Sequence, residues 1–207
     1  MRLLVTGFEP FGGDSENAAL AAVDRLAVGW SGARMTTAVL PVSFAAAPIT
    51  LRDLVERHRP DAVLAVGEAG GRTAVTPESR ARNVMHARIP DNVGDRPTAA
   101  PIDAGPEWID LPYRPAGAVA AIRAAGVPAH VSHDAGTFVC NRIARQVATL
   151  GIPGGFVHIP AIRSRGRARV GAETDPDAVT DGRPTPLSID EVAVALRLCL
   201  DALLDDR

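Results

Sequence analysis

The strongest constraint in this sequence is an alternation. Short β-branched or aliphatic runs change places, again and again, with stretches of helical periodicity. LLVTG at 3–7 reads as a continuous apolar strand, and Asn17 to Val28 follows as an alanine-rich helix with Asn17 as its N-cap. TTAVLPV at 36–42, a helix from about Ala46 to His58 with Pro48 in its first turn, and the strand DAVLAVG at 61–67 complete a βαβαβ pattern. Such a pattern predicts an α/β fold: a three-layer α/β/α sandwich around a mixed, mostly parallel twisted sheet. Ligands are then expected beyond the carboxyl ends of the strands.

Residues 69–114 interrupt the rhythm, being rich in Gly, Pro, Arg and Asp. They read as a long excursion, with room for an extra hairpin. A linker is a poorer reading, because neither flank is large enough to stand alone. The alternation resumes with a helix near 116–125, a strand at 127–132, a helix at about 138–150 and a strand at 154–159. It ends in a helix opened by a Ser188–Glu191 capping box, on which Ile189, Val192, Leu196, Cys199, Leu200 and Leu203 form one stripe. At 207 residues the whole chain, 1–207, is expected to be a single domain.

Composition narrows the chemistry. With 22 basic against 24 acidic residues the net charge is −2, which argues against nucleic-acid binding, since that needs a clustered basic excess. There is no lysine, so Schiff-base chemistry and the phosphate-loop lysine are excluded. The apolar run at the amino terminus is too short for a signal peptide or a membrane span. The two cysteines show no metal-ligand spacing, and no HExxH occurs. These features predict a cytoplasmic protein with reduced thiols that needs neither metal nor other cofactor.

Four places carry candidate chemistry. GFEPFGG at 7–13 lies between a strand and a helix but lacks phosphate-loop spacing; its two rings, Phe8 and Phe11, suit a small flat apolar ligand, although both can equally plug a core. Cys140 falls in HDAGTFVCNRIARQV, where a turn enters a helix. A thiol in a first helical turn faces unpaired amides and the positive dipole end, which favours a nucleophile, whereas most buried cysteines are inert. His158 closes the strand GGFVHIP and meets Cys140 if its neighbour in the sheet feeds the Cys140 helix; His133, seven residues before the cysteine, is a rival base. Glu78, inside the excursion, is one of many carboxylates able to orient a histidine or simply to be solvated.

Together these stretches resemble the pyroglutamyl peptidase I (pyrrolidone-carboxylate peptidase) family of cysteine peptidases. The matching pieces are VTGFEPFGG with Asn17, VGEAGGRTAVTPE with Asn83, ARIPDN at 87–92, SHDAGTFVCN at 132–141 and FVHIP at 156–160, in the family's order over nearly the whole chain. The resemblance implies hydrolysis of the amide bond after an amino-terminal pyroglutamyl residue of peptides. It assigns Cys140 as nucleophile, His158 as base and Glu78 as the orienting carboxylate. By the same resemblance Phe8 and Phe11 flank the pyrrolidone ring, Phe138 and Val139 complete its pocket, Asn17 and Glu68 belong to the binding motifs, and Arg88 lies beside the active site. Members of the family are commonly homo-oligomers, dimers or tetramers.

The chain also departs from the family's pattern. Ala18-Ala19 replace Pro-Ser/Thr after Asn17, Glu68 stands where glutamine is frequent, His86 replaces an acidic residue, and the segment from Cys140 to His158 is several residues shorter. A carboxylate at 68 near a neutral lactam costs desolvation unless it is paired. The departures leave two rival readings, a binding protein of the same fold without turnover and an amidohydrolase for another small lactam or amide.

Overall fold

The computed structural model describes residues 1–165, 168–169 and 187–205. Its first three strands are β1 (Arg2–Phe8), β2 (Arg34–Leu40) and β3 (Ala62–Ala69), linked by helices α1 (Ala18–Gly29) and α2 (Ala46–His58). The excursion contributes three short strands, β4 (Thr76–Pro77), β5 (Arg80–Arg82) and β6 (Trp108–Asp110). Helices α3 (Pro115–Ala124) and α4 (Val139–Ala148), strand β7 (Gly154–Pro160) and helix α5 (Ile189–Asp205) follow.

The main sheet has the order β2-β1-β3-β7-β4, parallel throughout except for the antiparallel β4–β7 edge. Side chains that alternate along its strands sort into two cores. Leu3, Val5, Leu64, Val66, Val157 and Ile159 pack under α1, α3 and α5. Leu4, Val63, Ala65 and Phe156 point the other way, under α2 and α4. Every residue of β3 and β7 is buried, as expected for strands covered on both faces. The architecture is the expected α/β/α arrangement with a mixed, mostly parallel sheet.

The local signals that set the helix starts act as read from the sequence. Asn17 Oδ1 accepts the Ala19 amide at 2.9 Å, and Ser188 and Glu191 close a reciprocal box: Ser188 Oγ accepts from Glu191 N at 3.2 Å, and Glu191 Oε2 accepts from Ser188 N at 2.8 Å.

Three expectations need correction. Strand β2 runs from 34 to 40, two residues ahead of the expected span, because Pro41 has no N–H to donate and the next amide, Val42 N, turns to Glu9 Oε1. The excursion contains no local hairpin; β5 and β6 pair across 25 intervening residues, from Asn83 to Glu107. Residues 127–132 form no strand of the sheet. They run beside 75–79 through the isolated bridges Val75–Ala129 and Glu78–Ser132, since Pro77 and Pro128 each remove a ladder donor. The neighbours of β7 are therefore β3 and β4, and no strand of the sheet feeds the Cys140 helix.

Candidate active site

The turn before α4 is built by its own residues. Asp134 Oδ1 accepts the Gly136 amide at 2.9 Å, and Gly136 takes φ +75°, a left-handed conformation that costs glycine little. Phe138 then occupies the N-cap position with an extended backbone and no side-chain capping bond, so the first-turn amides of α4 are not spent on a cap. Cys140 is the second residue of that helix. Asn141, fully buried beside it, accepts from Arg82 N at 2.9 Å and donates to the carbonyls of Arg82 and Val84, each at 2.9 Å. The helix start is thereby pinned to the excursion.

The Cys140 thiol is brought to the sheet by an absence. A β-carbon placed on Gly67 of β3 would lie 2.8 Å from Cys140 Sγ, so only glycine leaves room for the sulfur there. Gly67 is the register partner of His158 on β7. Parallel neighbours project to the same face, so the sulfur over Gly67 and the imidazole of His158 share one surface above the sheet.

On that surface His158 is nearly buried, and its Nδ1 lies 2.7 Å from Oε1 of Glu78, which is completely buried. Arg72 Nη1 donates to the same oxygen at 2.7 Å. Burial opposes ionisation of Glu78, but the hydrogen bond and charge of His158, the charge of Arg72 and the Ser132 hydroxyl outweigh it and hold the carboxyl below its usual value. The ionised carboxylate accepts Nδ1–H, which leaves Nε2 as the unprotonated nitrogen of neutral His158. Burial pushes the Cys140 thiol up to about 12; the Arg72 charge opposes this, while Glu78 and Glu68 add to it. His133, the rival base, is exposed and bonds to Ser79 Oγ at 2.7 Å, away from the cleft.

Cys140 and His158 lie in a cleft of about 590 Å³, counted out to its open mouth. Phe8, Phe11, Val42 and Phe138 give it apolar walls, and Asn17, Glu68, Arg72 and Val139 also line it. Phe8 is 2% exposed and packs toward Phe156 with ring centroids 6.5 Å apart. Phe11 is only partly buried and stands 6.2 Å from Phe138, which meets Phe44 edge-on at 5.2 Å. Arg88 does not line the cleft; its side chain is exposed.

The family model for pyroglutamyl peptidase matches residues 1–202. The chain belongs to the pyroglutamyl peptidase family. A pyrrolidone-carboxylate peptidase of Lactobacillus johnsonii is 38% identical over 99% of this chain and 93% of its own length. That of Levilactobacillus brevis is 44% identical over 77% of this chain and 82% of its own. Among solved structures, the pyroglutamyl peptidase I of Bacillus amyloliquefaciens superposes with a TM-score of 0.83 at 34% identity, covering 99% of this chain and 98% of that one. The pyrrolidone carboxyl peptidase of Thermus thermophilus gives 0.81 at 32%, covering 97% and 99%. The chain is accordingly a peptidase, a hydrolase of the cysteine class.

Within this member of the family the departure at Glu68 is compensated. Arg163 donates to Glu68 Oε1 at 2.6 Å and to Oε2 at 2.7 Å, and the Ala18 amide, in the first turn of α1, donates to Oε2 at 2.7 Å. Arg163 Nη2 also reaches Asp14 at 2.7 Å. A carboxylate beside the cleft is thus neutralised by a buried guanidinium and a helix N-terminus. Sequence reasoning missed Arg72 and Arg163. For Arg72 a signal existed, its place directly after Gly70-Gly71 in the excursion; Arg163 is 95 residues from Glu68 and had none. Among the described residues no helix is long and apolar enough to cross a membrane.

Proposed function

We propose that the chain hydrolyses the amide bond after an amino-terminal pyroglutamyl residue of peptides, through a thioester on Cys140 with His158 as base and Glu78 as its orienting carboxylate. The observation that carries this reading is the seating of Cys140 Sγ over Gly67, whose register partner is the Glu78-bound His158.

His158 Nε2 takes the thiol proton as Sγ attacks the carbonyl carbon that joins pyroglutamate to the next residue. The oxyanion is received by the uncapped first-turn amides of α4. The intermediate collapses, the C–N bond breaks, and protonated His158 gives its proton to the leaving amine. Water then attacks the thioester, losing a proton to His158; the C–S bond breaks, free pyroglutamate departs, and the sulfur regains its proton.

The apolar walls suit the substrate's cyclised end. A pyrrolidone ring carries no charged amine, so rings and backbone groups can hold it without a carboxylate or metal. The residues that converge on the cleft come from positions 8 to 158 of the sequence, which supports reading 1–207 as one catalytic domain. The test is a set of amide reporters with pyroglutamyl, prolyl and alanyl groups, applied to the wild type and to Cys140→Ser. Hydrolysis confined to the pyroglutamyl reporter and lost in the variant is expected. Equal hydrolysis of the prolyl or alanyl reporter would favour a different amidohydrolase, and no hydrolysis with a reactive Cys140 would favour a binding protein.

A further inference from the structure

Arg72 has no role in the mechanism above, yet three of its contacts tie the reacting groups together. Its side chain is 10% exposed. Nη1 donates to Glu78 Oε1 and to Thr76 Oγ1, and that hydroxyl in turn donates to the carbonyl of His158 at 3.2 Å. Nη2 donates to the carbonyl of Asp134 at 3.0 Å, in the turn that leads to Cys140. One guanidinium thus joins the carboxylate, the histidine strand and the nucleophile's loop.

We propose that Arg72 is a positioning residue of the catalytic triad, whose fixed charge on the oxygen shared with His158 sets the lower pH limit at which the imidazole accepts the thiol proton. This rests on the Cys140–His158–Glu78 reading.

The physical reason lies in the shared oxygen. Glu78 Oε1 receives Arg72 Nη1 and His158 Nδ1 at the same distance, 2.7 Å. With Arg72 in place, the carboxylate's charge is already balanced, so an added proton on the imidazole gains less from it. Without Arg72 the whole carboxylate charge would favour imidazolium, and His158 would stay protonated to higher pH. The other titratable groups around the pair do not replace this cation. Cys140 on α4 supplies no positive charge; Glu68 on β3 is committed to Arg163 and the Ala18 amide; the Asp134 carboxylate accepts the Gly136 amide; and His133 is exposed beside Ser79.

The experiment is the pH profile of kcat/KM on the pyroglutamyl reporter for the wild type, Arg72→Gln and Arg72→Lys, with circular dichroism to verify folding. For Arg72→Gln the acid limb should move up by about one pH unit, so that its deficit against wild type is roughly ten times larger at the acid end than on the plateau. Arg72→Lys keeps the charge without the two-armed reach, so its limb should stay at the wild-type position while kcat falls. A uniform loss in Arg72→Gln with an unmoved limb would reduce Arg72 to a structural brace and overturn the proposal. Should Arg72→Gln fail to fold, the lysine variant decides: a limb displaced as the pH falls, despite the retained charge, overturns it. Activity persisting in Cys140→Ser would instead overturn the triad itself, a result separable from any shift in the Arg72 profiles.

Discussion

Gly67 on β3 and Cys140 on α4 stand so close that a β-carbon at 67 would come within 2.8 Å of the sulfur, and also within 2.8 Å of Phe156 Cζ. The seat of the thiol is therefore bare backbone. Gly67→Ala must displace the Cys140 sulfur and the Phe156 ring, or lift α4 off β3, and a strand buried along its whole length leaves little room for either. We expect kcat to fall about 100-fold or more, as for an ångström-scale misplacement of a reacting group, with a stability loss of roughly 1–3 kcal/mol from overpacking. A variant that turns over near the wild-type rate would mean that the sulfur has slack and that glycine is not required.

The two cysteines separate cleanly. Cys199 is fully buried on the apolar stripe of α5, and burial pushes its thiol up to about 12 against the pull of the Tyr113 hydroxyl. Cys199→Ala should keep full activity and lose about 1 kcal/mol of stability, as expected for a small core truncation. Cys140→Ser should do the reverse, with the fold intact by circular dichroism and turnover abolished, because the hydroxyl is far harder to deprotonate. Loss of catalysis in Cys199→Ala at an unchanged melting temperature would contradict the assignment.

What the sequence made legible was what local chemistry encodes. The Asn17 cap, the Ser188–Glu191 box and the buried runs of β1, β3 and β7 are each specified within a few residues, and they suffice for the α/β class. The assembly of the site is not local. From the sequence, Cys140 and His158 come together if the strand beside β7 feeds the Cys140 helix; instead Gly67, on a third element, seats the sulfur and stands in register with His158. The 127–132 segment has strand composition, but Pro128 and the facing Pro77 lack the donors a ladder needs. Ion pairs such as Arg163–Glu68 and Arg145–Asp103 join residues 95 and 42 apart, and only the folded chain reveals them.

Arg163→Met tests the compensation at Glu68. Removing the guanidinium leaves a buried carboxylate whose one remaining donor among the described residues is the Ala18 amide, beside a cleft proposed to receive an uncharged ring. Breaking one partner of a buried pair costs on the order of 3–5 kcal/mol, so the melting temperature should fall and KM should rise more than kcat drops. Adding Glu68→Gln should restore much of both, because the amide oxygen still accepts from Ala18 without burying a charge. A double variant no better than Arg163→Met would show that the pairing of charges is not what matters there.

The helix that carries Cys140 holds a second clamp with a pH signature. Arg145, almost wholly buried on α4, donates from Nε and Nη2 to the two oxygens of Asp103, each at 2.7 Å. Those bonds, with burial opposing them and the Gly105 amide assisting, lower the Asp103 carboxyl from 3.8 to about 2. A carboxyl whose folded value is depressed contributes stability that is present above its unfolded value and is lost as pH falls through the folded one. The wild type should therefore lose this contribution between about pH 4 and pH 2. Asp103→Asn should melt lower at neutral pH, and the gap between the two proteins should close across that window in melting curves. A gap that stays constant down to pH 2 would remove the ion pair from the account.

Phe8 and Phe11 resemble each other in sequence, but the structure gives them different surroundings. Phe8 is 2% exposed and belongs to the core that holds Phe156, whereas Phe11 is partly open and lines the cleft opposite Phe138. Phe8→Ala should therefore act mainly on folding, at roughly 3–5 kcal/mol for a buried ring. Phe11→Ala should act on the substrate: one wall is lost, water reaches the pyrrolidone ring, and transition-state binding weakens by about 1–3 kcal/mol, a 10- to 200-fold fall in kcat/KM. The melting temperature of Phe11→Ala should barely move. Iodoacetamide should label Cys140 in it at nearly the wild-type rate, since alkylation does not need the ring pocket. Loss of cooperative unfolding and of labelling together would make Phe11 a core plug as well, while unchanged kcat/KM would place the lactam against some other wall of the cleft.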